Sequence, residues 1–197
     1  MTFKHYIFDL DGTIVNTKDI HNKVFSDTLK HFELPPIHPN HADVFEGRSS
    51  KDKVKSYNTM YEVKIDEEPF LKEKQRRSVE ALNRQEYFDI DIFTIFKTLS
   101  RTREISIATN CTLESAQIIL QKMQLSFFIN RIGHNLSGKP KPAPDIYRMC
   151  IDAADIPEKD TVVFEDNDKG IEAATKASDD LCIIRVTGPD QLKKLFL

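Results

Sequence analysis

The sequence predicts an α/β protein: a doubly wound parallel sheet with a small helical domain inserted after its first strand. Short apolar strands alternate with helices near the start and again from about residue 88 onward. Such alternation indicates a parallel sheet covered by helices on both faces. From residue 17 to residue 87, by contrast, Gly47 is the only glycine and charged residues recur at helical spacing. We therefore expect a core from residues 1–16 and 88–197 and a helical domain from residues 17–87.

Each core strand is predicted from a short apolar run that ends in turn-forming residues. These runs are residues 4–9, 104–108, 127–133, 161–165 and 181–186. The helices between them are predicted at residues 112–123, 142–154 and 169–177. Right-handed crossovers make this a doubly wound α/β domain. Open α/β sheets bind their ligands at the carboxyl ends of the strands.

Two signals organise the inserted segment. Pro35, Pro36 and Pro39 predict a break between helices. The stretch Asp66-Glu67-Glu68-Pro69 predicts the start of another helix, because acids and proline favour the first turn.

Charge and cysteine content exclude several classes of protein. The chain has 197 residues and a net charge of −3, so no nucleic-acid partner is expected. Charged residues follow the amino terminus too closely for a signal peptide or membrane span, and we expect no membrane partner. Three widely spaced cysteines show neither metal-ligand spacing nor a closed disulfide set. We expect a cytoplasmic protein, and the sequence does not distinguish a monomer from a dimer.

Polar residues follow three of the predicted strands directly. The first strand delivers Asp9, its last residue, and Asp11 to its carboxyl end, and Thr109 and Asn110 follow the strand EISIA. The strand TVVFE leads into an acidic pair, Glu165-Asp166. The loop GKPKPAPD brings two lysines to the start of a helix. Because the carboxyl ends of parallel strands lie at the same edge of a sheet, we expect all of these side chains to meet there.

This set of side chains suits phosphoryl chemistry. Several carboxylates together need a cation, and oxygen ligands favour Mg²⁺. A lysine, a threonine hydroxyl and loop amides suit a phosphate group. One aspartate can attack phosphorus while a second acid protonates the leaving oxygen and then activates water.

The chain resembles the haloacid dehalogenase-like hydrolases, in the subgroup with a helical cap inserted after the first strand. The stretches FDLDGT, IATN, KPAPDIY and VFEDNDKGIEAA resemble the four motifs of that family, in order. The resemblance covers nearly the whole chain. It implies a Rossmann-like core with a cap domain, and Mg²⁺ as the cofactor.

The resemblance also implies catalytic roles. Asp9 corresponds to the nucleophile, whose second oxygen binds the metal. Asp11 corresponds to the general acid and base, with its backbone carbonyl on the metal. Lys141 corresponds to the lysine that neutralises the nucleophile and the phosphoryl group. Lys139 also precedes a proline, but only Lys141 stands directly before Pro-Ala-Pro-Asp.

The remaining core residues correspond to binding positions. Thr109 and Asn110 resemble the phosphate binders of the family, although either of them, or Thr112, could instead cap the following helix. Asp166 resembles the main acidic metal ligand, and Glu165 a ligand that acts directly or through water. An alternative for this acidic pair is a purely structural role at a helix amino terminus.

Two further candidates lie in the inserted segment. His21 could touch substrate or assist Asp11, or it could be an ordinary helix-face histidine. Arg48, in FEGRSSKD, could bind the distal end of an anionic substrate, or it could be a charged surface residue. Asn16 and Lys18 stand where the family often has acids, which leaves substrate preference open.

The predicted function is a Mg²⁺-dependent phosphatase that hydrolyses a small phosphorylated metabolite through an aspartyl-phosphate. The metabolite class is a sugar phosphate or a phosphoglycolate-like compound. A sugar phosphomutase is the main alternative, because the aspartyl-phosphate could be passed to a sugar. A phosphonate-cleaving enzyme, a dehalogenase and a catalytically silent binding module are further alternatives.

Overall fold

A parallel sheet forms the centre of the larger of two units. In this computed structural model, residues 3–45, 48–135 and 138–197 are described. Within those residues the sheet has five strands, in the order β3-β2-β1-β4-β5, and each neighbouring pair is parallel. The strands are β1 (His5–Phe8), β2 (Glu104–Ala108), β3 (Arg131–Gly133), β4 (Thr161–Glu165) and β5 (Cys182–Arg185).

The chain divides into two units at two points. The core unit takes the residues up to Thr17 and from Glu86 onward, and the helical unit is Lys18–Gln85. The helical unit contains α1 (Lys18–His31), α2 (Ala42–Phe45), α3 (Ser50–Tyr61) and α4 (Glu67–Asn83). Helix α4 begins directly after Asp66, as its sequence predicts. Gly47, the single glycine of the inserted segment, lies outside the described residues.

The helical unit has an apolar core of its own. The ring of Phe25 on α1 lies 6.3 Å from the ring of Phe45 and 5.5 Å from that of Phe70. Val54 and Tyr57 from α3 belong to the same buried cluster. These contacts join all four helices of the unit around one set of apolar side chains.

Helices cover both faces of the sheet in the core unit. They are α5 (Ile90–Leu99), α6 (Leu113–Lys122), α7 (Asp145–Asp152), α8 (Asp168–Ala177) and α9 (Pro189–Phe196). On one face, Ile7 and Val163 pack with Ile146 of α7 and Ala173 of α8. On the other face, the Phe8 ring lies 4.8 Å from Phe96 of α5 and 4.9 Å from Phe164. The predicted doubly wound α/β fold is confirmed.

Two predicted elements are shorter than expected. The predicted strand 127–133 is wrong at its start: Ser126–Phe128 forms a 3₁₀ turn, and pairing as β3 begins only at Arg131. Phe127 is 96% exposed, so an apolar run here does not mean a buried strand. The predicted helix 142–154 shortens to α7, because Pro142 and Pro144 lie in the preceding loop.

The register of the sheet fixes where the loops after each strand meet. Phe8, the last residue of β1, is paired with Ile107 of β2 on one side and Phe164 of β4 on the other. The next residues of these three strands therefore emerge side by side at the carboxyl edge. None of the helices in the described ranges has the length and apolar character needed to cross a membrane.

Candidate active site

The central strand delivers Asp9 to the carboxyl edge of the sheet. The backbone amide of Asp9 donates to the Phe164 carbonyl at 2.9 Å, so the β1–β4 pairing extends to this residue. Asp9 is only 5% exposed. The nucleophile candidate is therefore held by the most interior strand of the sheet.

A buried lysine joins two carboxylates at this point. The Lys141 ammonium donates to Asp9 Oδ1 at 2.7 Å and to Glu165 Oε2 at 2.7 Å. Lys141 is 3% exposed and Glu165 is fully buried. The Lys141 Nζ also lies 4.8 Å from the centre of the Tyr147 ring. The structure thus places Lys141 beside Asp9, as the choice of Lys141 over Lys139 predicts.

Burial and neighbouring charges both shift the pKa values of Asp9 and Lys141. Burial and the Glu165 carboxylate raise the pKa of Asp9, and the Lys141 ammonium opposes them. Burial lowers the pKa of Lys141, but the Asp9 and Glu165 carboxylates outweigh it and hold that pKa well above its usual value. Lys141 therefore carries its positive charge at neutral pH, in a pocket with excess carboxylate.

Glu165 is surrounded by hydrogen-bond donors. Its Oε2 also accepts from the Tyr147 hydroxyl at 2.6 Å. Its Oε1 accepts from the amides of Asp166 and Asn167 at 3.1 and 3.3 Å, and from Asn167 Nδ2 at 2.9 Å. A Cβ added at Gly170 would lie 1.9 Å from Oε2, so glycine is required there. Glu165 is thus fixed in one orientation.

Sequence reasoning gave no role to Tyr147, Asn167 or Gly170. All three stand within the motif stretches KPAPDIY and VFEDNDKGIEAA, which is the one signal that marks them. Asn167 has a second role, because its Oδ1 accepts from the Gly170 amide at 3.1 Å and caps α8. The capping role weighed for the acidic pair thus belongs to the residue after it.

Three carboxylates could hold a metal ion. One carboxylate oxygen from each of Asp9, Glu165 and Asp166 lies within 4.8 Å of the others. Asp9 Oδ2 is buried and has no hydrogen-bond partner among the described residues. An all-oxygen set with a buried, unsatisfied carboxylate oxygen suits a hard divalent cation.

Asp11 follows Asp9 in a tight turn. Gly12 adopts a φ of 100°, a conformation that glycine reaches without strain, and its amide donates to the Val15 carbonyl at 2.7 Å. Asp11 Oδ1 accepts from the Thr17 amide at 2.8 Å. The hydroxyls of Thr13 and Thr17 are buried without a partner in the described part of the chain.

The loop after β2 contains the two predicted phosphate binders. Thr109 is buried, and its Oγ1 accepts from the Cys111 amide at 3.1 Å. The Asn110 side chain is bonded to the backbone of Lys141. The cap of α6 is Thr112, whose Oγ1 accepts from the Ser115 amide at 3.2 Å. Thr109 is therefore not needed as a cap.

His21 and Arg48 lie in the helical unit. His21 is a partly buried residue of α1, where burial and the positive charges of Lys74 and Lys53 lower its pKa to about 3. The exposed Arg48 donates to the Ser56 hydroxyl at 3.1 Å. Their roles in substrate binding stay predictions.

Comparisons with known proteins give a consistent result. A family model described as haloacid dehalogenase-like hydrolase matches residues 6–184. The fructose-1-phosphate phosphatase YqaB of Escherichia coli is 24% identical over 181 residues, which are 91% of this chain and 95% of that protein.

Two solved structures share the fold at low identity. CbbY from Rhodobacter sphaeroides, in complex with phosphate, has a TM-score of 0.81 at 18% identity, covering 94% of this chain and 87% of that one. The β-phosphoglucomutase of Clostridium difficile has a TM-score of 0.81 at 21% identity, covering 98% and 88%.

Proposed function

The chain belongs to the haloacid dehalogenase-like hydrolase family, and from that premise we propose that it is a Mg²⁺-dependent phosphatase of a small phosphorylated metabolite. The observation that carries the proposal is the buried contact of Lys141 with Asp9 and Glu165. The activity of the Escherichia coli relative supports a sugar phosphate as the substrate class, and a phosphoglycolate-like compound stays within the proposal.

The acidic cluster fits a divalent cation. Asp9 and Asp166 would hold Mg²⁺, with Glu165 close by and the Asp11 backbone carbonyl as a further ligand. The buried, unpartnered Asp9 Oδ2 supports this assignment, because a cation would satisfy it. When bound, the metal would supply positive charge that offsets the repulsion between a dianionic phosphate and these carboxylates.

In the first step Asp9 attacks phosphorus in line with the leaving oxygen. The P–O bond to the leaving group breaks, and an aspartyl-phosphate forms. The Lys141 ammonium contacts the nucleophile directly, so it favours the charged form of Asp9 against the effects of burial and Glu165, and it screens the phosphoryl charge. Thr109 and Asn110 are proposed to bind the phosphoryl oxygens, with Asn110 acting through its backbone amide.

Asp11 completes the cycle by moving protons. It donates a proton to the departing alkoxide, which leaves as an alcohol. It then takes a proton from a water that attacks the aspartyl-phosphate, and this releases inorganic phosphate and restores Asp9. His21 and Arg48 of the helical unit are proposed substrate-binding residues.

A sugar phosphomutase is the second candidate. The likeness of fold to a β-phosphoglucomutase favours it, because the same aspartyl-phosphate could be transferred to a sugar hydroxyl. Stimulation of turnover by a bisphosphorylated sugar would identify this reaction.

A cytoplasmic location is also proposed, and it is supported by three cysteines that form no disulfide with each other.

Phosphate release from a substrate panel tests the proposal. The panel contains sugar phosphates, phosphoglycolate, nucleotides and cofactor phosphates, each assayed with Mg²⁺ and with EDTA. We expect Mg²⁺-dependent release that falls by about a thousandfold or more in Asp9→Asn. Asp152→Asn, which changes an exposed acid on α7, should retain full activity. A folded chain that releases phosphate from no compound would contradict the proposal and favour a mutase or a silent binding module.

A further inference from the structure

Tyr147 is a fully buried side chain of α7 that contacts both Lys141 and Glu165. Its hydroxyl donates to Glu165 Oε2 at 2.6 Å. The Lys141 ammonium lies over its ring, with 4.8 Å between Nζ and the ring centre, which is within the range of a cation–π contact. One side chain therefore acts on the carboxylate and on the lysine at the same time.

The Lys141 ammonium is shared between two carboxylates. Its Nζ lies 2.7 Å from Asp9 Oδ1 and 2.7 Å from Glu165 Oε2, so neither carboxylate holds it more closely than the other. An ammonium has three N–H donors in a tetrahedral arrangement, so these two contacts also fix the direction of the third donor. The position of Lys141 at the nucleophile therefore depends on how strongly Glu165 competes with Asp9 for it.

The Tyr147 hydroxyl weakens this competition. It donates to Oε2 of Glu165, which is the same oxygen that accepts from Lys141. A carboxylate oxygen that accepts two hydrogen bonds shares its negative charge between the two donors, so its attraction for each of them is smaller. Without the hydroxyl, the full charge of Oε2 would act on the ammonium and draw it toward Glu165.

A second buried tyrosine shows what a purely structural hydroxyl looks like. Tyr57 in the helical unit is also fully buried, and its hydroxyl donates to the Pro35 carbonyl. That contact satisfies a buried polar group and involves no charged side chain. The acceptor of the Tyr147 hydroxyl is, by contrast, the oxygen that also binds the lysine at the nucleophile.

We propose that Tyr147 is a positioning residue that keeps the Lys141 ammonium in contact with Asp9. Its hydroxyl limits the attraction of Glu165 for the ammonium, and its ring covers one side of the same group. This inference rests on the proposed function, in which Asp9 is the nucleophile. Tyr147 acts on the reaction through Lys141 and takes no part in bond formation itself.

Metal-free crystal structures test this positioning without any measurement of activity. In the wild type we expect Lys141 Nζ to contact Asp9 Oδ1. In Tyr147→Phe the distance between these two atoms should lengthen beyond about 3.2 Å, the upper end of ordinary N–H···O hydrogen bonds, while the contact with Glu165 persists. An unmoved Lys141 in this variant would overturn the proposal, as would a wild-type structure in which the ammonium does not reach Asp9.

Steady-state kinetics separate positioning from a loss of stability. On the best substrate of the panel, Tyr147→Phe should lower kcat about tenfold and change KM less than about twofold, because a displaced lysine acts on the nucleophile. Tyr57→Phe is the matched control, since it also removes a buried hydroxyl; it should lower the urea midpoint and leave kcat unchanged. A wild-type kcat in Tyr147→Phe would contradict the positioning role.

A second variant separates the ring from the hydroxyl. Tyr147→Leu removes both, so its kcat should be lower than that of Tyr147→Phe, and equal values would overturn the part assigned to the ring. A folded wild type that releases phosphate from no compound would refute the proposed function instead. The crystal structures would then still decide whether Tyr147 positions Lys141.

Discussion

The Asn110 side chain makes hydrogen bonds to both the amide and the carbonyl of the Lys141 backbone. Its Oδ1 accepts from the Lys141 amide at 2.9 Å, and its Nδ2 donates to the Lys141 carbonyl at 3.4 Å. A residue of the β2 loop therefore positions the lysine that contacts Asp9. The Asn110 side chain thus holds the backbone of Lys141 in place. This role is separate from the phosphate contact proposed for the Asn110 backbone amide.

Removal of that amide should weaken catalysis through Lys141. In Asn110→Ala we expect kcat to fall about tenfold, with stability lower by about 1–2 kcal/mol because two hydrogen bonds are lost. Steady-state kinetics and urea denaturation measure the two effects. Asn83→Ala, which removes an exposed amide bonded to the Val79 carbonyl on α4, is the control and should change neither. An unchanged kcat in Asn110→Ala would contradict the positioning role.

Loss of the Lys141 charge should damage folding as well as activity. In Lys141→Met the carboxylates of Asp9 and Glu165 stay buried without their cation, which costs about 3–5 kcal/mol at pH 7. With the cation gone, burial raises the pKa of Asp9 further above its unfolded value. The folded variant therefore takes up a proton as pH falls, and its deficit should shrink between pH 8 and pH 5.

Urea denaturation at the two pH values measures this trend. Lys139→Met is the matched control, because it removes a neighbouring exposed lysine and should have little effect on stability. A Lys141→Met deficit that does not vary with pH would show that the carboxylates are not the source of the instability.

Gly170 should not tolerate a methyl group. Alanine at this helical position would gain up to about 1 kcal/mol from helix propensity. The added Cβ would, however, lie 1.9 Å from Glu165 Oε2, and Glu165 cannot move without losing its donors. We expect Gly170→Ala to lose about 2 kcal/mol or more of stability. Thr175→Ala on the exposed side of α8 is the control, with an effect near zero or slightly stabilising, and thermal melts distinguish the two.

His5 should make the fold sensitive to acid. Burial, and then the charge of Arg131, lower its pKa to about 4 from 6.5. Because the folded pKa is depressed, the unfolded chain binds a proton first, and stability is lost as pH falls from about 6.5 to about 4. The loss attributable to His5 is about 3 kcal/mol. Urea titrations from pH 7.5 to pH 4 should show a shallower decline for His5→Gln than for the wild type. Parallel curves would exclude His5 as the cause.

The sheet and most helices could be predicted from patterns in the sequence, because a chain of alternating apolar strands and helices is compatible with few topologies. The family and its hydrolase class were also predicted from four motifs, and the family match confirms both. The prediction that β3 begins at residue 127 is wrong because Phe127 is exposed. A sequence pattern does not distinguish an exposed apolar residue from a buried one.

The candidate site was predictable in its charged members and not in its supporting contacts. The pairing register of β1 and β4 places the carboxyl ends of these two strands side by side. Asp9, Glu165 and Asp166 lie at those ends and therefore come together. The Tyr147 hydroxyl on Glu165 and the Asn110 amide on Lys141 depend on how separate loops approach each other in space. No spacing in the sequence specifies such contacts.

The helical unit has its own apolar core and joins the rest of the chain at only two peptide bonds, after Thr17 and after Gln85. Both the nucleophile candidate and its lysine partner lie outside that segment. A recombination event that exchanges only the codons between these joints would replace one complete core and leave the other intact. Mutation and selection can therefore alter the apolar packing of one core without changing any residue of the other.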